Sequence, residues 1–181
     1  MKSFISEIFS SIQGEGPYIG ERHLFLRFCD CHRDCIYCDT NTKRTESVMI
    51  EKVAGSGEIE HIPNPLSVDE VLNWIDILDA KKNNKRISLT GGAPLLQAKF
   101  LSQLLPKLVE KGYSNYLETV GDLTDQFKTI VEYIDIVAMD VKLSSVTLDK
   151  NIFSQHWKFL SYMKNQNVEY FIKLIVSNET D

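Results

Sequence analysis

No stretch of this sequence approaches the roughly 20 consecutive apolar residues that a membrane-spanning helix needs, so no bilayer segment is expected. A basic excess is missing as well: 20 Lys and Arg stand against 25 Asp and Glu, a formal net charge of −5. Without a cationic footprint, nucleic acid is not an expected partner. Met1–Phe9 carries Lys2 and Glu7 but no apolar core or small-residue cleavage site, so no signal peptide is expected and the implied location is cytoplasmic. Cysteine is absent from every position after 38. The four thiols are Cys29, Cys31, Cys35 and Cys38, whereas a disulfide framework spreads its cysteines to staple distant loops. Thiols bunched this way in a cytosolic chain read as metal or redox chemistry. Repeats and low-complexity tracts are also lacking, and the expected organisation is one domain over residues 1–181. What remains, 43% hydrophobic and 25% charged residues, is the composition of a globular domain.

Six short apolar runs, rich in β-branched and aromatic residues, predict strands: Phe4–Phe9, Arg22–Cys29, Arg86–Thr90, Tyr113–Glu118, Asp135–Asp140 and Glu169–Val176. Ser67 with Glu70 forms a capping box for a helix whose apolar stripe is Val71, Leu72, Ile75 and Leu78. Leu96, Phe100, Leu101, Leu104, Leu105 and Leu108 make a second stripe, in which Pro106 predicts a kink or an early end. Phe127, Ile130, Val131 and Ile134 make a third, and Trp157, Leu160 and Met163 a fourth. Strands and helices in alternation imply an α/β fold with a mostly parallel sheet covered by helices. Six strands fall short of a closed eight-stranded barrel, so the expected architecture is an incomplete, open β/α barrel. Asn41–Pro65 holds Gly55, Gly57, Pro63 and Pro65 without a sustained period and reads as a long loop or insertion, with room for one short helix or hairpin.

The run Cys31-His-Arg-Asp-Cys35-Ile-Tyr-Cys38 has the spacing C-x3-C-x2-C and follows a predicted strand directly. Three thiolates can hold three irons of a [4Fe–4S] cubane and leave the fourth iron without a protein ligand. This spacing is shared with radical S-adenosylmethionine (SAM) enzymes, in which SAM chelates the open iron and is cleaved reductively to a 5′-deoxyadenosyl radical. A structural zinc site drawing on all four cysteines is the competing reading. Zinc usually takes two C-x2-C pairs separated by a loop, which this run lacks. Cys29, inside the predicted strand, reads as a small buried hydrophobe. Side chains alternate along that strand, so Phe25, Arg27 and Cys29 share one face and Leu24, Leu26 and Phe28 the other. The second face should pack on helices and turn Arg27 into the barrel, where a buried guanidinium needs either an internal carboxylate or an anionic ligand.

Around the cysteines stand Gln13-Gly14-Glu15-Gly16, Leu26-Arg27-Phe28, Cys38-Asp39-Thr40, Thr90-Gly91-Gly92-Ala93-Pro94, Glu118-Thr119-Val120-Gly121 and Met139-Asp140-Val141-Lys142. In this order they resemble the 7-carboxy-7-deazaguanine synthase family of radical SAM enzymes, over nearly the whole chain. The resemblance implies ring contraction of 6-carboxy-5,6,7,8-tetrahydropterin with loss of ammonia, using a [4Fe–4S] cluster, SAM and Mg2+. It also implies a reductant such as flavodoxin or ferredoxin, and a homodimer. Carried over position by position, it assigns Cys31, Cys35 and Cys38 to the cluster and Thr40 to magnesium. Gln13, Gly14, Glu15, Arg27 and Thr90 go to the pterin, and Tyr37, Cys38, Asp39, Gly92, Glu118 and Lys142 to SAM. No side chain is assigned as acid or base. Two features depart from the family: Ala93 stands where a glutamate usually meets the SAM amine, and Asp181 is the last residue where the family continues into a pocket-closing segment. The alternatives are a glycyl-radical activating or other radical SAM enzyme and, from another class, a non-catalytic iron–sulfur or zinc-binding paralogue.

Overall fold

The computed structural model describes residues 1–144, 152–176 and 180. In chain order the strands are β1 (Lys2–Ser3), β2 (Ile5–Ile12), β3 (Arg22–Phe28), β4 (Ser47–Glu51), β5 (Ile59–Pro63), β6 (Leu66–Ser67), β7 (Arg86–Gly91), β8 (Ser114–Thr119), β9 (Ile136–Val141) and β10 (Glu169–Leu174). Four α-helices lie among the described residues: α1 (Val68–Leu78), α2 (Ala98–Glu110), α3 (Thr124–Lys128) and α4 (Ile152–Met163). Eight strands form one sheet in the order β10-β9-β8-β7-β3-β2-β4-β5, while β1 and β6 pair separately. From β10 to β3 every neighbouring pair is parallel. The β2–β3 and β4–β5 pairs are antiparallel hairpins, and β2 runs parallel to β4. This is an open, mostly parallel α/β barrel.

Within the eight-stranded sheet, the two strands beyond the expected six come from the 41–65 segment, which folds as the β4–β5 hairpin. Val48 and Ile50 on β4 are fully buried and alternate with exposed Met49, a period-2 signal that the surrounding glycines and charges mask. The hairpin's turn is organised by a buried carboxylate. Glu51 accepts hydrogen bonds from Gly55 N and Gly57 N, and from Ser10 N on β2.

The helices cover one face of the sheet. The capping box at Ser67 and Glu70 is formed and starts α1, which buries Val71, Leu72, Ile75 and Leu78. Leu96 belongs to a 3-10 turn before α2, and Pro106 lies inside α2 without ending it. The third stripe splits between the short α3 and a following 3-10 turn. On α4 the buried face is Ile152, His156, Phe159 and Met163, and Trp157 points to solvent, so the stripe expected there is rotated. The heptad-like spacing of Phe159 and Met163 with Ile152 was hidden because a histidine completes it.

On β3 the alternation sorts side chains as the sequence implies: Leu24, Leu26 and Phe28 enter the helix-side core, while His23, Phe25 and Arg27 face the barrel interior. The floor of that interior is aromatic. Phe9 and Phe25 stack at 5.1 Å, His23 meets Tyr116 edge-on at 5.4 Å, and Tyr116 packs on Tyr18 and Phe171. His23 is fully buried; its Nδ1 pairs with Ser88 Oγ at 2.7 Å and its Nε2 has no partner among the described residues. Burial, with Arg86 nearby, lowers its pKa to about 4. The folded protein therefore holds neutral imidazole where the unfolded chain, with a pKa near 6.5, takes up a proton. This stabilisation is whole above about pH 6.5 and drains as pH falls toward 4, with a slope of at most about 1.4 kcal/mol per pH unit. In urea denaturation between pH 7 and 5, His23→Phe should show a shallower loss of stability than the parent. Equal slopes would mean that the ring is protonated in the fold.

Candidate active site

One cavity of about 610 Å³ opens at the C-terminal ends of the parallel strands. That is where open α/β sheets bind ligands, because loops diverge there and leave a crevice. Its walls include Cys31, Cys35 and Cys38 from the loop after β3, with Tyr37, Asp39 and Thr40 beside them. The β2–β3 turn contributes Gln13, Gly14 and Glu15, and β3 contributes Arg27. Thr90 from β7, Gly92 just after it, Glu118 from β8 and Lys142 just after β9 complete the circuit. Every residue assigned above to the cluster, magnesium, pterin or SAM thus lines a common space, while Ala93 is buried and does not. Asp140, Lys173 and Arg33 line it as well, and none of these three was singled out.

The three loop thiols are free, and Cys29 is buried away from the cavity at the end of β3. Burial pushes the Cys35 thiol up, Lys142 offsets this in part, and the neighbouring Cys31 and Cys38 push it further up. A half-buried thiol flanked by two others suits a cationic centre, since an iron cluster bound by all three would remove their protons. Among the described residues no three His, Cys, Asp or Glu side chains are gathered as a single ion would need. A cubane holds its thiolates farther apart than one ion does, so an open cysteine loop fits a cluster, and a four-cysteine zinc knot would have to pull Cys29 out of the core.

Gly91 and Gly92 are required first by the protein's own backbone. Gly91 has φ +104°, and a Cβ there would lie 2.4 Å from Phe28 O; one at Gly92 would lie 2.0 Å from Asp30 O. The segment instead docks through Gly92 N to Phe28 O at 2.9 Å and Ala93 N to Asp30 O at 2.8 Å. The glycines therefore seat the cysteine loop on β7, in addition to opening backbone toward a ligand.

Charged groups on the cavity wall are paired in a pattern that leaves capacity for a polar ligand. Glu118 accepts from Thr90 Oγ1 at 2.7 Å, and Gln13 Nε2 stands 3.5 Å from its other oxygen. This places Glu118 among the residues assigned to the pterin. Lys142 pairs with Asp140 at 2.6 Å and lies 4.7 Å over the Tyr37 ring. Burial lowers the Lys142 pKa, but Asp140 and Tyr37 outweigh it and hold the ammonium above its ordinary range. Lys173 on β10 pairs with Glu15 at 2.6 Å; burial again opposes its charge, and Glu15, Glu118 and Asp140 restore it. The β2–β3 turn also rests on β10 through Gly16, where a Cβ would lie 2.4 Å from the Phe171 ring. Turn and strand thus meet through side chains rather than through a strand ladder.

Arg27 has a protein carboxylate beside it, the internal partner that the sequence left open. Its Nε lies 3.1 Å from Glu7 Oε2, directly across the β2–β3 ladder, but makes no aligned hydrogen bond. Thr40 Oγ1 is 3.5 Å from Asp39 Oδ1, so a hydroxyl and a carboxylate present hard oxygens side by side, donors of the kind that suit magnesium.

Asp140 was legible by alternation, since Ala138, Asp140 and Lys142 share a face of β9 once Lys142 is placed. Lys173 and Arg33 carry no such signal, because their roles depend on segments more than 80 residues away.

A family model described as the radical SAM superfamily matches residues 26–176. The 7-carboxy-7-deazaguanine synthase of Methanocaldococcus jannaschii is 34% identical over 98% of this chain and 72% of its own length. That of Geobacter sulfurreducens is 35% identical over 98% of this chain and 71% of its own. Among solved structures, QueE from Escherichia coli superposes with a TM-score of 0.61 at 18% identity, over 97% of this chain and 84% of that one, a likeness of fold.

Proposed function

The chain belongs to the 7-carboxy-7-deazaguanine synthase family of the radical SAM superfamily, and from that membership we propose that it converts 6-carboxy-5,6,7,8-tetrahydropterin to 7-carboxy-7-deazaguanine with loss of ammonia. The observation that carries the proposal is the shared cavity. Three free thiols and the pterin-assigned residues Gln13, Gly14, Glu15, Arg27 and Thr90 line one space, whose volume is in the range of small-molecule sites.

Cys31, Cys35 and Cys38 would hold the [4Fe–4S] cluster, which with SAM supplies an electron and an organic radical able to abstract hydrogen. Tyr37, Asp39, Gly92 and Lys142 would hold SAM, the Lys142 ammonium being kept charged by Asp140. Glu118 moves from the SAM set toward the substrate set: its carboxylate sits between Thr90 and Gln13, where it can accept from a pterin's amino and ring N–H groups. Glu15, held by Lys173, would do the same. Arg27 would pair the substrate carboxylate, with Glu7 fixing the guanidinium from behind. Thr40 and Asp39 would bind Mg2+ together with substrate oxygens. A one-electron donor such as flavodoxin or ferredoxin, a pair of chains and a cytoplasmic setting complete the proposal.

Arg27→Lys should keep SAM binding but weaken substrate, since lysine cannot form a bidentate contact. The loss of one charged hydrogen bond is about 1.5–3 kcal/mol, or at least a tenfold rise in substrate Kd by calorimetry. Unchanged substrate affinity would leave Arg27 with only its Glu7 pairing. The proposal as a whole is tested by anaerobic reconstitution with iron, sulfide, SAM, reductant and 6-carboxytetrahydropterin. Formation of 5′-deoxyadenosine with the deazaguanine product is expected. Cleavage of SAM without that product would point to another radical substrate, and no cleavage at all would favour a non-catalytic metal-binding protein.

A further inference from the structure

The ends of the cysteine loop are held by backbone contacts. Asp30 N donates to Thr42 O at 2.7 Å, Asp30 O accepts from Ala93 N, and Cys38 N donates to Cys35 O at 3.0 Å. The middle of the loop, between Cys31 and Cys35, is held differently. Asp122, in the turn after β8, receives His32 Nε2 at 2.6 Å, Arg33 Nε at 2.7 Å and Arg33 Nη2 at 2.6 Å, all on its Oδ2. Its side chain is 2% exposed, and its Oδ1 is buried with no hydrogen-bond partner among the described residues. Burying a carboxylate so completely costs free energy that only paired donors offset, and here the donors are the two loop residues.

The turn itself is fastened to the body of the protein. Gly121 has φ +74°, and a Cβ there would lie 2.5 Å from the Met139 side chain. Gly121 N donates to Thr119 Oγ1 at 3.2 Å, and Gly121 O pairs at 3.2 Å with Nδ1 of buried His156 on α4. His156 Nε2 accepts from Lys142 N at 3.1 Å, so the ring is the neutral tautomer with its proton on Nδ1. The preceding residue on α4, Gln155, accepts a hydrogen bond from Arg33. Helix α4, the Gly121–Asp122 turn and the cysteine loop thus form one continuous polar brace.

We propose that Asp122 is a positioning residue that holds the loop between Cys31 and Cys35 in its ligating shape, with His156 as the anchor of its turn. The inference rests on reading Cys31, Cys35 and Cys38 as the cluster ligands. Asp122 touches neither substrate nor metal in this account; it acts through His32 and Arg33.

The test compares Asp122→Asn and His156→Phe with the parent protein in two states. Without iron, hydrogen exchange is followed across residues 31–38. After anaerobic reconstitution, the half-life of the brown absorbance is measured against a chelator. Loss of a charged contact in Asp122→Asn should speed exchange in the loop about tenfold and shorten the cluster half-life about tenfold, and His156→Phe should move both the same way, while exchange in β2, β3 and β7 stays as in the parent. Exchange that rises evenly through the whole sheet would assign Asp122 to general stability and overturn the proposal. Loop exchange and cluster half-life equal to the parent's would overturn it too. Should either variant fail to fold, Arg33→Gln and His32→Gln remove the contacts to Asp122 from the loop side of the brace, and the same outcomes decide. If the parent protein takes up no cluster, the reading of the cysteines fails, and exchange in the iron-free loop still decides the brace.

Discussion

Replacing Cys35 by alanine is expected to remove the brown [4Fe–4S] absorbance from the reconstituted protein, together with all SAM cleavage. Cys31→Ala and Cys38→Ala should do the same, because each loss leaves one iron of the cubane without a protein ligand. No other thiol can take the place of the missing one. Cys29 lies fully buried at the end of β3, its thiol pKa raised by that burial, and does not reach the cavity that the other three line. Cys29→Ala should therefore keep cluster and cleavage at the parent's level, with only a small loss of packing. Iron and sulfide content, the visible spectrum and the yield of 5′-deoxyadenosine read all four variants. A cluster retained without Cys35, or lost without Cys29, would overturn the ligand set.

The second large effect is at Gly92. An alanine Cβ there would lie 2.0 Å from Asp30 O, 2.7 Å from Asp30 C and 3.3 Å from Cys31 N. These are backbone atoms and cannot swing aside. Relief requires parting the end of β7 from the cysteine loop, which breaks the hydrogen bonds from Gly92 N and Ala93 N. Gly92→Ala should cost on the order of 3–5 kcal/mol in urea denaturation, the range reserved for strain that the structure cannot relax. Two other glycines calibrate the result. Gly55→Ala meets nothing within 4 Å but has φ +80°, so it should cost about 1 kcal/mol. Gly14→Ala meets nothing within 4 Å and needs no positive φ, so its stability should match the parent's. A Gly92 variant as stable as the Gly14 variant would mean that the loop is not seated on β7 as described.

The parallel half of the barrel was legible because each of its strands is a short apolar run ended by polar residues or glycine, and β7, β8 and β9 needed only their ends moved by a residue or so. The β4–β5 hairpin was not, since Glu51 looks like a surface charge in sequence and becomes a buried turn acceptor only after folding. Trp157 misled the reading of α4 for a related reason. Its size suggests core, whereas the buried position one residue earlier is taken by a histidine with backbone partners on both ring nitrogens. In the site, residues within contiguous motifs could be found from spacing and resemblance. Asp122, Lys173 and His156 act across turns of chain that no local pattern encodes, and Glu118 changed neighbours once Thr90 and Gln13 were seen beside it.

The cysteines are neighbours in sequence, but what shapes their loop is not. Gly92 comes about 60 residues later and Asp122 about 90 later, and parallel pairing between distant segments is the slow part of folding such a sheet. During synthesis the three thiols consequently leave the ribosome well before β7 and the turn after β8 exist to receive them. Iron acquired in that interval would meet an unshaped loop, and oxidation would meet no protection. The loop reaches the shape seen here only once the second half of the barrel has been made and folded.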